Sequence, residues 1–324
     1  MSMAGAKTTT TQGSGLSETV KIVVQALLLA LLVRTFLFQP FNIPSGSMKD
    51  TLLVGDYLFV SKYAYGYSRF SLPNSGLFPD PGALLAYQWG TSSPVIYLLG
   101  WLLFAIAVAG LVYVFRRFLY GLFNKFGLQH LAWIAVIIAI CGSFAYIVTQ
   151  SHQRVFGGLP NRGDIVVFKL PRDESTDYIK RVIGLPRDKI QMIDGILYIN
   201  GTAVPRVRDG EYVTEDAFGA RTKVARYRET LPNGVSYDTL DIEPNGFEDN
   251  TPVYEVPPGH LFMMGDNRDN SQDSRVLSAV GYVPVENLVG RAEVIFFSVD
   301  EHSAAWEFWK WAWTVRWERL FKLL

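Results

Sequence analysis

The 324-residue chain contains one cysteine, Cys141, and four histidines. A lone cysteine excludes an intrachain disulfide and a cysteine-rich zinc site, and leaves the redox compartment open. Cys141 lies in an apolar run and reads as inert packing. Net charge is also lacking, because thirty basic residues cancel thirty acidic ones. The global balance therefore gives no reason to expect a nucleic-acid partner, which favours a basic patch or stripe. Locally, no Asp, Glu, Lys or Arg occurs between Asp80 and Arg116 or between Lys125 and Arg154.

What fills those gaps is apolar. Hydrophobic residues make up 49% and aromatics 14% of the chain, high for a soluble protein. Residues 1–20, rich in Thr, Ser and Gly, read as a flexible cytoplasmic tail. From Ile22 the sequence is nearly all apolar to Phe38 if Arg34 snorkels, close to the roughly 17 residues that span a bilayer. VRTFLFQP follows in place of a small-residue cleavage site, so 21–39 is expected to be an uncleaved transmembrane anchor. Pro94 to Phe115 and Leu131 to Val148 are each long enough to cross a hydrocarbon core of about 30 Å. Arg116, Arg117 and Lys125 between them form a basic loop that belongs in the cytoplasm. An inserted transmembrane hairpin is expected over 81–150.

From Asn161 the texture changes to short β-branched and aromatic runs broken by Gly, Pro, Asn and Asp, such as DIVVFKLP, YIKRVIGLP and RAEVIFFSVD. This predicts a mainly β domain. Asp194-Gly195 between apolar runs predicts a tight hairpin. Residues 206–252 read as a polar, irregular surface insertion. At the end, Trp306, Trp309, Trp313, Trp317, Leu320 and Leu324 share one helical face, which predicts an amphipathic interfacial helix over 303–324.

Three segments carry candidate chemistry. In FNIPSGSMKDTLL, Pro44 and Gly46 bend the backbone and expose Ser45 and Ser47. A serine nucleophile needs a base, yet none of His130, His152, His260 and His302 sits in a motif tied to Ser47, and His260 in PPGH reads as a turn residue. Lysine offers another base. In DYIKRVIGLP a strand puts Tyr178 and Lys180 on one face, Ile179 and Arg181 on the other. A lysine base must be desolvated, since at a pKa of about 10.4 only roughly one amine in 2,500 is neutral at pH 7. Lowering it to about 7 costs on the order of 4.6 kcal/mol. The third segment, MGDNRDNSQDSR, is acidic, but counting from Asp269 its sixth position is Ser274 and its twelfth Val280, unlike a calcium-binding EF-hand loop. It is expected to be a scaffold of Asp and Arg pairs that presents Ser271, with no metal.

Taken in order, PSGSM, RGDIVVFK, DYIKRVIGLP and MGDNRDNSQDSR closely resemble the bacterial signal peptidase I family, over residues 34–72 and 160–299. The resemblance implies a β-rich catalytic domain on a membrane anchor, without cofactors. It further implies a membrane-bound serine endopeptidase that removes signal peptides from exported preproteins, with Ser47 as nucleophile and Lys180 as general base. The Ser47 amide and the Ser45 hydroxyl would hold the oxyanion. Tyr178 and Ser271 would orient Lys180, while Asp266 with Arg181 and Asp273 with Arg275 would brace the site. Phe41, Ile43, Leu52 and Ile179 match positions lining shallow pockets that accept Ala one and three places before the cut. The catalytic domain is then expected in two parts, 40–80 and 151–302, on the extracytoplasmic face of a multi-pass inner-membrane protein. Preproteins, membrane lipid and the export machinery are the expected partners, with no nucleic acid. Two spans between the serine segment and RGDIVVFK depart from the family's usual order. Self-cleaving transcriptional regulators share the dyad but carry a DNA-binding domain and no span; a catalytically silent membrane scaffold is the remaining alternative.

Overall fold

A computed structural model describes residues 15–71, 139–145, 148, 154–215, 221–301 and 303–324. The chain divides into two units, Met1–Arg34 with Ser75–Ile147, and Thr35–Asn74 with Val148–Leu324.

In the first unit, helix α1 (Gly15–Leu32) runs into a π turn, Val33–Leu37. Within the span 21–39 expected for the anchor, the backbone turns into a strand at Phe38. Its first turns carry Ser17, Glu18 and Lys21, which leaves eleven apolar or Gln positions from Ile22 to Leu32, about 16 Å of α-helix. No helix among the described residues is long and apolar enough to cross a membrane. The hairpin expected over 81–150 lies outside the described residues except for 139–145, which is helical, and 148.

The second unit is β-rich. Its main sheet has the order β1-β2-β14-β3-β4-β12-β13, from β1 (Phe38–Asn42), β2 (Asp56–Ser61), β3 (Ile165–Lys169), β4 (Asp177–Gly184), β12 (His260–Met264), β13 (Val283–Pro284) and β14 (Leu288–Ser298). β1 contains Pro40 and, among the described residues, pairs with β2 alone, as a residue without an N–H requires of an edge position. β3, an unbroken apolar run, is buried along Ile165–Phe168, the pattern of a strand covered on both faces. Its Ile165 and Val167 join a cluster with Ile43, Met48, Leu52, Leu58, Val60 and Ile295, and its Val166 and Phe168 one with Val182, Leu261 and Met263.

The Asp194-Gly195 hairpin forms as expected. β5 (Lys189–Ile193) and β6 (Ile196–Ile199) pair with Ile193 opposite Ile196, and the two turn residues have φ of 48° and 72°, the left-handed pair of a type I′ turn.

Two expectations need correction. The segment 206–252 is not irregular: β8 (Arg206–Glu215), β9 (Arg221–Thr230) and β10 (Ser236–Asp241) form a three-stranded sheet. Its polar sequence conceals buried residues on both faces, Val224 with Leu240 on one and Glu229 with Tyr237 on the other, and its last strand joins the body where the Leu240 amide donates to the Asp266 carbonyl. Nor is 303–324 one helix. Single turns at Phe308–Lys310, Trp311–Thr314 and Trp317–Arg319 give way to β15 (Lys322–Leu323), which pairs with β14. Helical continuity is lost because Arg316 donates to the Val54 carbonyl and Arg319 forks onto buried Asp56 at 3.0 and 2.5 Å. The tryptophans keep an exposed face all the same, with Trp306 at 70% and Trp313 at 73%.

Candidate active site

Ser47 sits in a single 3₁₀ turn, Gly46–Met48, directly after β1 and Pro44. Met48 beside it is fully buried and anchors the turn in the core. Asn267 clamps the turn, its backbone amide donating to the Ser47 carbonyl at 3.1 Å and its side-chain amide to the Gly46 carbonyl at 3.0 Å. Across from the turn, β4 presents Lys180, 3% exposed, with Nζ 2.5 Å from Ser47 Oγ. Burial pushes the Lys180 amine down to about 8 against the opposing pull of Asp273 and Asp266, with Arg275 lowering it further. Desolvation disfavours the ammonium because the low-dielectric interior solvates charge poorly.

The supporting residues converge on the same place with different contacts. The Ser45 hydroxyl is 3.4 Å from that of Ser47. Tyr178 approaches the amine with its ring, whose centroid is 5.6 Å from Nζ, and packs on Phe168. The Ser271 hydroxyl donates to Asp273 Oδ2 at 2.8 Å. Neither Tyr178 nor Ser271 is hydrogen-bonded to Lys180 among the described residues. Arg181 forks onto Asp266 at 2.8 and 2.6 Å, and Arg275 onto Asp273 at 2.9 and 2.8 Å. Both are bidentate, buried and charge-assisted; the Arg181–Asp266 pair ties β4 to the loop after β12, and the Arg275–Asp273 pair shapes that loop itself. Asp273 also accepts the Gly265 amide at 3.0 Å, and its carboxyl is held below its ordinary pKa, burial opposing and the Arg275 guanidinium prevailing.

Gly265 is the close-approach point of the site. A β-carbon there would stand 2.2 Å from Ser271 Oγ and 2.5 Å from the Ser47 carbonyl oxygen. Phe41, Ile43, Leu52 and Ile179 fall in one apolar cluster with Met48, with Ile43 and Leu52 buried and Phe41 and Ile179 half-buried.

Sequence reasoning missed several contributors. Thr51 donates to Asp266 Oδ2 at 2.5 Å and ties the chain after Ser47 to the Asp266–Arg181 pair. Glu229, fully buried on β9, accepts from Arg268 and from the Tyr237 hydroxyl, while Tyr237 lies under Arg181 at 4.2 Å. In the polar sequence of β9 nothing sets Glu229 apart from the exposed charges around it. His260 hydrogen-bonds the Pro258 carbonyl within its own turn. No group of three or more His, Cys, Asp or Glu among the described residues is placed to hold a metal.

Comparison with known proteins identifies the family. The family model described as signal peptidase, peptidase S26, matches residues 16–89 and 98–297. The signal peptidase I of Rickettsia conorii is 35% identical over 276 residues, 83% of this chain and 75% of that protein. That of Rickettsia typhi is 36% identical over 276 residues, 83% of this chain and 76% of the other. A crystal structure of a signal peptidase I from Enterococcus faecalis aligns at 29% identity over 41% of this chain and 97% of that one, with a TM-score of 0.24. The molecule is therefore a hydrolase of the serine endopeptidase class. More particularly, the chain belongs to the signal peptidase family, peptidase S26.

Proposed function

We propose that this chain removes N-terminal signal peptides from exported preproteins with a Ser47–Lys180 dyad. The observation that carries the reading is the 2.5 Å separation of Ser47 Oγ from a buried lysine amine whose pKa falls to about 8. Neutral Lys180 takes the Ser47 proton as Oγ attacks the scissile carbonyl; the same proton then passes to the leaving amine, and water releases the acyl group from Ser47. The Ser47 amide and the exposed Ser45 hydroxyl serve the oxyanion, each donor worth roughly 3 to 4 kcal/mol.

Substrate enters as an added strand. Among the described residues β1 pairs only with β2, and residues 177–180 of β4 only with β3, so each offers an edge beside Ser47 to an extended peptide. Phe41, Ile43, Leu52 and Ile179 line its pockets and select Ala one and three places before the cut. Replacing the Ala next to the cut by Trp should abolish turnover, because a packed apolar pocket enlarges only by displacing its walls; equal cleavage of both peptides refutes the assignment.

The protein works at a bacterial membrane, anchored by the apolar stretch that begins at Ile22 in α1. Ile22, Val23, Leu27, Leu29 and Leu31 of this stretch are all exposed, as lipid contact requires. The hairpin over 81–150 crosses twice and returns the chain to the extracytoplasmic side, where the exposed tryptophans face the headgroups. Lipid and the export machinery are its partners alongside preproteins.

A further inference from the structure

We propose a second substrate site: the first residues of the mature protein, on the carboxyl side of the cut, bind in the cleft between β8 and the segment after Ser47. This inference rests on the signal-peptide-removing dyad above.

Chain direction points to this cleft. With the residues before the cut lying over Phe41 and Ile43 and the scissile carbonyl at Ser47, the substrate runs onward past Ser47 toward Lys49. Lys49 folds back along the nucleophile turn, its Cδ and Cε 3.3 Å from where a β-carbon on Gly46 would stand. An extended chain advances about 3.5 Å per residue, so the second and third residues after the cut reach this side chain.

There a cleft of about 310 Å³ opens, with Lys49, Glu301 and Arg316 on one side and Tyr212 and Thr214 of β8 on the other. This is at the small end of ligand-binding pockets. Its β8 wall is an edge: the sheet order is β10-β9-β8, so the outward backbone groups of β8 are open to an extended peptide. On the opposite wall Lys49 and Glu301 are 3.5 Å apart, longer than a tight ion pair of about 2.8 Å. A charged substrate side chain can replace either partner. The ligand class is therefore an extended, polar peptide whose charge is read at Lys49 and Glu301.

The test is a competition in detergent between two preproteins, identical but for Asp or Lys at the second residue after the cut. Reading the product ratio in one tube cancels any loss of folded protein. Lys49→Glu should move the ratio twofold or more toward the Lys substrate, and Glu301→Lys twofold or more toward the Asp substrate. A shift of less than twofold in either variant overturns the proposal. If the unsubstituted protein cleaves neither preprotein, the dyad reading itself fails, a result distinct from an unmoved ratio.

Discussion

The pH dependence of cleavage follows directly from the environment of Lys180. Its amine falls from an ordinary 10.5 to about 8, burial being the largest cause. At 1.36 kcal/mol per pK unit that difference corresponds to about 3.4 kcal/mol. At pH 7 a base of pKa 8 is about 9% neutral, against about 0.03% at 10.5, a gain of about 300-fold in reactive form. The expected profile of kcat/KM on an Ala-X-Ala peptide rises about tenfold per unit up to pH 7 and levels off above pH 8. Initial rates from pH 6 to 10 measure it, and replacing all four histidines should leave the limb in place. A limb near 6.5 that vanishes with the histidines, or one near 10.5, refutes the lysine base. Stability follows with a definite sign. The folded pKa is the lower one, so the unfolded chain binds more protons between about 8 and 10.5, and stability rises with pH across that window. Below pH 8 the whole penalty is present. Lys180→Met therefore removes a destabilising charge at pH 7, and its melting temperature should not fall.

Gly265→Ala should lower kcat/KM by about 100-fold while far-ultraviolet circular dichroism stays native, because its β-carbon displaces Ser271 and the Ser47 carbonyl and misplacement of about 1 Å carries that loss. Near-normal turnover would show that the turn can shift freely. Arg319→Met leaves fully buried Asp56 without its forked partner and should destabilise the fold by about 3–5 kcal/mol in urea melts; an unchanged midpoint would mean the C-terminal segment does not brace the loop after Ser47. With Cys141 replaced, Asn233→Cys should react with an impermeant thiol reagent in sealed cells and Phe123→Cys should stay protected. Labelling of Phe123→Cys there contradicts a membrane hairpin.

The individual candidates were readable from local pattern, while their pairing across 133 positions came from the family resemblance. Ser47 follows a Pro-x-Gly bend, and Lys180 shares a strand face with Tyr178 by simple alternation. The Asp194-Gly195 turn was equally legible, since left-handed φ at two successive positions admits few residue types. What stayed hidden depends on contacts distant in sequence. Thr51 meets Asp266 across 215 positions, and Arg319 meets Asp56 across 263. The helical pattern of the C-terminal segment was outweighed by those arginine contacts, which draw the backbone into short turns and a strand. In 206–252 the buried residues of β9 and β10 fall on both faces, Val224 with Leu240 and Glu229 with Tyr237, so no simple alternation shows in the sequence.

The most direct test is cleavage of a purified preprotein bearing an Ala-X-Ala signal peptide, comparing the unsubstituted protein with Ser47→Ala and Lys180→Met after thermal melts verify that all three are folded. The dyad predicts a mature product cut after the second Ala from the first and none from either variant, since nucleophile and base act as a unit. A folded Lys180→Met protein that turns over within about tenfold of the unsubstituted rate would contradict it.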